Sequence, residues 1–246
     1  MDLGLKDTRA LVTAASKGLG RACATALAAE GSRVFIVSRD DARLAAVERE
    51  IGAAGHLGVD LSVPGEPERA VAAAAAALGG LDILVCNAGG PPPGTFESTP
   101  VDAWEQGYHL TLMSTVRLTK AALPLLKQSG RGRIVNITSI SVRQPIPNIL
   151  LSNAFRSAVT AMAKTVAAEV AGDGVTINNL APGTILTDRV RQLYADPVET
   201  VRTIPAGRMG DPEEFGATCA FLCSRQAAYI TGQTIGIDGG ALRGVH

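Results

Sequence analysis

The stretch Arg9-Ala10-Leu11-Val12-Thr13-Ala14-Ala15-Ser16-Lys17-Gly18-Leu19-Gly20 constrains this chain more than any other. It reads as a buried strand, a turn of small residues and the start of a helix. Ala14, Ala15 and Ser16 keep side-chain bulk low, and Gly18 and Gly20 let the backbone approach a ligand. The helix that follows opens with unpaired N–H groups and the positive end of its dipole, which together make a seat for phosphate. A lone glycine pair would suit any strand-to-helix turn. The strand before, the helix after and the position near the N-terminus supply the context that a dinucleotide site requires.

The rest of the chain repeats that alternation. Short β-branched runs near 9–13, 33–37, 56–60, 82–86, 133–138, 175–180 and 233–238 alternate with Ala/Leu-rich helical stretches. The pattern is that of an α/β chain with a doubly wound, seven-stranded parallel sheet and helices on both faces. No Pro/Gly/Ser linker or charge block divides the 246 residues, and 46% hydrophobic content can bury a sizeable core, so one domain spanning 1–246 is expected. The 23 basic and 23 acidic residues create no field for nucleic acid or an anionic membrane. Met1 to Asp7 lacks the basic and apolar regions of a signal peptide, and no apolar run reaches the ~18 residues of a membrane helix, which points to the cytoplasm. Cys23, Cys86, Cys219 and Cys223 fall inside expected helices or a strand and read as core residues. Cys219 and Cys223 share a helix face, but His56, His109 and His246 are not in metal-ligand spacing with them, so no metal site is expected.

The second strand ends in Ser38-Arg39, where a carboxylate would hydrogen-bond the adenosine ribose of NAD. Arg39 instead suits a 2′-phosphate and Lys17 adds a second charge, favouring NADP(H) over NAD(H); otherwise Asp40 or Asp41 serves the ribose and Arg39 is solvated. Asp60 and Leu61 end the third strand at the same carboxyl edge. There Asp60 either faces an adenine amine or caps the helix around 65–79.

With Leu81-Asp82-Ile83-Leu84-Val85-Cys86-Asn87-Ala88-Gly89 the chain comes to resemble the short-chain dehydrogenase/reductase family. Thr13 to Gly20 matches that family's TGxxxGxG turn, and Asn87-Ala88-Gly89 matches its NNAG. Ile134-Val135-Asn136-Ile137-Thr138-Ser139 matches the strand carrying the catalytic Ser, and Pro182-Gly183 with Thr187 matches the nicotinamide loop. The segment from Pro205 through Gly240 extends the similarity over essentially the whole chain. One departure is Ala14 for the turn's first Gly, which asks the backbone to keep φ negative or accept strain. The resemblance implies a Rossmann fold and a homotetramer joined through the helices around 101–128 and 150–171, with 3-oxoacyl-acyl-carrier-protein reductases nearest. Together these readings assign the cofactor to Thr13, Ser16, Lys17, Gly18, Leu19, Gly20, Arg39, Asp60, Leu61, Asn87, Ala88, Gly89, Arg156, Pro182, Gly183 and Thr187.

In the family a hydride passes between nicotinamide and a carbonyl or alcohol, while a Tyr gives or takes the proton. A Lys four residues later tunes that Tyr, a Ser polarises the carbonyl and an Asn supports a proton relay. Carried onto this chain, the four positions are Ser139, Ser152 for the Tyr, Arg156 for the Lys and Thr111 for the Asn. Only Ser139 keeps its identity. Ser is a much weaker acid than a Tyr, whose reference pKa is about 10, so proton transfer must change. Either a water held by Ser152, Ser139 and Arg156 carries the proton, or Tyr194 supplies it from the segment resembling the family's substrate lid; as a lid aromatic, Tyr194 otherwise orders that loop. Tyr108 and His109 receive no catalytic role, and Tyr229 is expected to pack near the C-terminal edge. Pro-stiffened segments Gly90 to Phe96 and Val142 to Ile149 should flank the pocket, with Arg143 either meeting a carboxylate or phosphopantetheine or standing in solvent. The expected function is an NADP(H)-dependent oxidoreductase acting on a small-molecule carbonyl or alcohol; the alternative is a catalytically silent NADP(H)-binding protein.

Overall fold

In the computed structural model, which describes residues 1–188, 190 and 197–244, the sheet separates two apolar layers, and β1, β2, β4, β5 and β6 send residues to both. The strands are β1 (Arg9–Thr13), β2 (Arg33–Ser38), β3 (Gly55–Gly58), β4 (Ile83–Cys86), β5 (Arg133–Ile137), β6 (Thr176–Pro182) and β7 (Thr234–Ile237). All pair in parallel in the order β3-β2-β1-β4-β5-β6-β7. The helices are α1 (Gly18–Ala29), α2 (Asp41–Ile51), α3 (Glu66–Leu78), α4 (Val101–Gly107), α5 (Ser114–Ser129), α6 (Leu150–Val170), α7 (Pro197–Arg202) and α8 (Pro212–Cys223).

Period-two burial explains the layering. Ala10, Val12, Val34, Ile36, Ile83 and Val85 face α1, α2 and α8, whereas Leu11, Phe35, Val37, Leu84 and Cys86 face α3, α5 and α6. This is the doubly wound sheet expected from the sequence, with strand ends shifted by one or two residues and β3 ending at Gly58 before Asp60. The α1–α8 seam is close enough that a Cβ on Gly216 would stand 2.5 Å from the Ala22 carbonyl oxygen. Cys23, Cys219 and Cys223 fill this layer as free buried thiols, and the contact with Cys219, together with burial, raises Cys223 well above the ordinary thiol value. Among the described residues no His/Cys/Asp/Glu cluster could hold a metal, and no helix is long and apolar enough to cross a membrane.

Because β1 lies between β2 and β4, the strand order reverses there, leaving a crevice above their carboxyl ends. The opposite edge is clamped. Asp82, 1% exposed, accepts hydrogen bonds from the Arg9 backbone N–H (2.8 Å), Nε (2.9 Å) and Nη2 (2.7 Å). Burial alone would raise the Asp82 carboxyl, yet the Arg9 bonds and charge outweigh it and hold the group below its usual value. Stability from this carboxylate is therefore full above its unfolded pKa of about 3.9 and is lost as pH falls through the depressed folded value. Asp82→Asn should cost about 1.5–3 kcal/mol at pH 7, the worth of hydrogen bonds to a charged group, and should weaken the acid limb of a urea-unfolding series; unchanged stability at pH 7 and pH 3 would refute the clamp.

Candidate active site

The turn after β1 is held by contacts too close for added atoms. A Cβ on Gly20 would stand 2.4 Å from the Ala14 carbonyl oxygen and 2.8 Å from Asn87 Nδ2. Thr13 Oγ1 accepts from the Asn87 backbone N–H at 2.8 Å and donates to the Asn87 carbonyl at 2.7 Å, stapling β1 to the turn after β4. Ala14 accepts the strain that its identity implied, with φ at 46°, where the family pattern has Gly. Lys17 at the N-cap of α1 makes no side-chain cap hydrogen bond, so the first-turn N–H groups remain available to a ligand.

A cleft of about 600 Å³ lies over this turn, a size that suits a dinucleotide together with a small substrate. Ser16, Lys17, Gly18 and Leu19 form its floor. At one end stand Ser38 and Arg39 from the close of β2, with Asp60 and Leu61 beyond β3. Asp60 does not cap α3, whose N-cap is Gly65; it accepts from Ser62 N (3.0 Å) and Ser62 Oγ (2.7 Å). Burial pushes the Asp60 carboxyl up, but the Ser62 bonds and the Arg39 charge bring it below its ordinary value. Arg43 also lines this end, a cation the sequence reading missed although it stands four residues after Arg39 at a helix start. Its backbone N–H donates to Asp40 Oδ1 at 3.0 Å and its Nε lies 3.5 Å from Asp40 Oδ2.

Asn87, Ala88 and Gly89 form the middle of the cleft wall. At the inner end Ser139, Ser152 and Arg156 line the same space as Pro182, Gly183 and Thr187. β5 delivers Ser139, whose Oγ accepts from the Ser141 N–H at 3.1 Å. Ser152 and Arg156 share one face of α6 at i, i+4, and Arg156 Nε donates to Ser152 Oγ at 3.1 Å while Nη1 donates to the Ile137 carbonyl at 2.8 Å. Gly183 lets the loop after β6 pass Asp238, whose Cβ would be 2.7 Å from a Cβ at that position. The two loops expected at the pocket join each other: Gly94 N donates to the Asn148 carbonyl (2.8 Å) and Leu150 N to the Gly94 carbonyl (3.3 Å). They contribute Pro91, Ile146 and Ile149, which with Leu110 make an apolar wall that sequence alone did not resolve residue by residue.

Three assigned residues stand off the wall. Thr13 and Gly20 shape the turn from beneath. Thr111, expected at the reaction centre, instead sits 3% exposed in a π-helical turn, Tyr108–Met113, with its hydroxyl unpartnered. It lines a separate cavity of about 10 Å³ with Cys86, Thr115 and Arg156, and the cleft wall does not include it. Back-bonding of Ser114 Oγ to the Leu110 carbonyl (2.5 Å) and Thr115 Oγ1 to the Thr111 carbonyl (3.0 Å) accompanies the widened turn. Arg143 donates to the Thr234 carbonyl at 2.7 Å and does not line the cleft. Tyr229, expected to pack, is fully exposed, and Tyr194 lies outside the described residues.

A doubly wound sheet with this turn at its switch point defines a Rossmann-type nucleotide-binding protein. A family model described as enoyl-(acyl carrier protein) reductase matches residues 13–241. Dehydrogenase/reductase SDR family member 4 of Bos taurus is 37% identical over 251 residues, covering 97% of this chain and 88% of its own. A 3-oxoacyl-acyl-carrier-protein reductase of Vibrio cholerae is 35% identical over 240 residues, covering 97% and 98%. Among solved structures, L-sorbose reductase of Gluconobacter frateurii, complexed with NADPH and L-sorbose, superposes with a TM-score of 0.93 at 30% identity over all of both chains. A 3-oxoacyl-acyl-carrier-protein reductase of Agrobacterium tumefaciens with NADP bound gives 0.91 at 34% identity over 96% of this chain and 95% of that one. The chain belongs to the short-chain dehydrogenase/reductase family of oxidoreductases.

The turn geometry yields opposite expectations for two neighbouring substitutions. Ala14→Gly removes a left-handed penalty of about 1–2 kcal/mol at an entropic cost of about 0.5–1, so chemical unfolding should show a gain of up to about 1.5 kcal/mol. Gly20→Ala forces a methyl against the Ala14 carbonyl and should abolish NADPH binding in a fluorescence titration; wild-type affinity in that variant would overturn the reading of the turn.

Proposed function

We propose that this chain is an NADP(H)-dependent oxidoreductase that moves a hydride to or from a carbonyl or hydroxyl group of a small molecule, on a 3-oxoacyl reductase-like scaffold with an altered proton path. The observation that carries this reading is one continuous cleft joining Arg39 and Lys17 at one end to Ser139, Ser152 and Arg156 at the other. The NADPH and NADP held by the two neighbours described above support the choice of cofactor. When bound, the nicotinamide supplies or accepts the hydride.

The residues of this chain do the rest. The first-turn N–H groups of α1 receive the pyrophosphate, Arg39 with Lys17 meets a 2′-phosphate, and Arg156 offers charge to the ribose and to Ser152. Ser139 and Ser152 orient the substrate oxygen, and the apolar wall excludes water. Among the described residues of the cleft wall no phenol stands beside a cation. A positioned general acid is worth about 10²–10⁴ in rate, so reduction of an ordinary ketone should be slow by that factor.

Two measurements test the reading. NADPH should bind more tightly than NADH, and Arg39→Asp should reverse the order; equal affinities before and after would sink the cofactor choice. Ser152→Tyr combined with Arg156→Lys restores the phenol and ammonium at i, i+4 and should raise diketone or 3-oxoacyl reduction by up to about 10²–10⁴, with each single change doing less. A double variant that binds NADPH yet stays inert across a broad carbonyl panel would favour a silent NADP(H)-binding protein.

A further inference from the structure

Arg39 and Asp40 are chain neighbours of opposite charge, and both line the end of the cleft beyond β2. In an NADP(H) site the two pull in opposite directions. Arg39 suits a 2′-phosphate, whereas an ionised Asp40 repels it and offers an acceptor to the ribose hydroxyls of NAD(H). Asp40 is fixed in place by two bonds to the main chain. Its own N–H donates to Ser38 Oγ at 3.3 Å, and its Oδ1 accepts from the Arg43 backbone N–H at 3.0 Å as the N-cap of α2. Capping leaves the second oxygen, Oδ2, and the negative charge. Arg43 Nε lies 3.5 Å from that oxygen.

Helix stability does not account for this guanidinium. Arg43 stands in the first turn of α2, where a cation opposes the helix dipole, and an ion pair with side chains 49% and 54% exposed adds little to folding. Its effect is on the charge of the cleft. Asp60, the other carboxylate at this end, is already answered by the two Ser62 bonds and by the charge of Arg39. Asp40 has its side-chain partner in Arg43.

We infer that Arg43 is a positioning residue for cofactor choice, acting as a latch on Asp40: it occupies the acceptor oxygen that NAD(H) would use and cancels the repulsion that NADP(H) would meet. The inference rests on the cofactor reading above. It gives Arg43 a part distinct from a direct grip on the phosphate, which falls to Arg39 and Lys17. The two parts have different consequences. Because the cap bond comes from a backbone N–H, it survives loss of the Arg43 side chain, and the carboxylate stays beside the ribose with Oδ2 open and its charge uncompensated. Removing a latch therefore harms one cofactor and helps the other, whereas removing a grip harms one only.

Fluorescence titration with NADPH and with NADH tests the latch in the wild type, Arg43→Ala, Asp40→Asn and the double variant. Asn serves as an N-cap as well as Asp, so Asp40→Asn removes the charge and keeps the helix start. Arg43→Ala should weaken NADPH by about 3–10-fold and tighten NADH by about 2–5-fold, the scale of an exposed charge pair met by a phosphate dianion. In the Asp40→Asn background the same change should move neither affinity by more than about twofold, because no carboxylate is left to release. Arg43→Lys, which keeps a charge but not the guanidinium, should fall between the wild type and Arg43→Ala for both cofactors. An NADPH loss that persists in the Asp40→Asn background, with NADH unchanged throughout, overturns the latch and makes Arg43 a direct phosphate contact. An unchanged NADPH-to-NADH ratio in Arg43→Ala overturns it as well, and in both cases the cofactor reading stands. A wild type without a preference for NADPH fells the cofactor reading and the latch together.

Discussion

The contact between the turn after β1 and the turn after β4 is the constraint on which the rest of this site depends. Thr13 bonds both backbone groups of Asn87, and Gly20 brings α1 against the Ala14 carbonyl with no room for a methyl. If those two turns separated, the N-terminus of α1 would no longer face the crevice and Asn87 would leave the middle of its wall. Sheet order supplies the crevice, but only this contact aims a helix end into it. The Ala14 strain fits the same logic. A residue at φ 46° persists where the surroundings over-determine it, and here a staple on one side and a helix on the other do so.

At the far end of the cleft Ser139, Ser152 and Arg156 are held by backbone and side-chain hydrogen bonds. Arg156 occupies the face of α6 where an ammonium would stand beside a phenol, yet its planar fork spans two acceptors at once, Ser152 Oγ and the Ile137 carbonyl. That ties the cation to β5. A planar guanidinium spanning two acceptors is held more rigidly than a single ammonium on a flexible stem, and the Ser152 oxygen faces it.

Much of this was legible in the sequence because the signals are local. Short β-branched runs alternating with Ala/Leu-rich stretches marked a parallel sheet between helical layers, and the small-residue turn marked the crevice. Most of the residues assigned to the site do line one cleft. What escaped depends on longer-range or subtler geometry. Thr111 was assigned by carrying a family position onto the sequence, which says nothing of the π-helical turn or the small separate cavity in which the structure places it. Tyr229 looked like a packing residue because aromatics usually are; whether a chain-end aromatic meets a neighbour is a tertiary fact that no periodicity encodes. Arg143 was recruited by a carbonyl on β7, ninety-one residues away.

Arg43 shows how a charge missed in the sequence alters the weight of those that were read. Asp40 lines the cleft one residue after Arg39, where a carboxylate would repel a 2′-phosphate or hydrogen-bond a ribose. In the structure that carboxylate is already engaged: one oxygen caps α2 through the Arg43 N–H and the other lies 3.5 Å from Arg43 Nε. Asp60 is similarly occupied by Ser62. Both carboxylates at this end therefore have partners within the protein, and the cations Lys17, Arg39 and Arg43 outnumber them. A solvent-screened excess of one charge selects weakly on its own. It selects more strongly where the anion it meets is a phosphate dianion held in register by a helix N-terminus, because positioning has already been met by the pyrophosphate and the added contact appears as affinity.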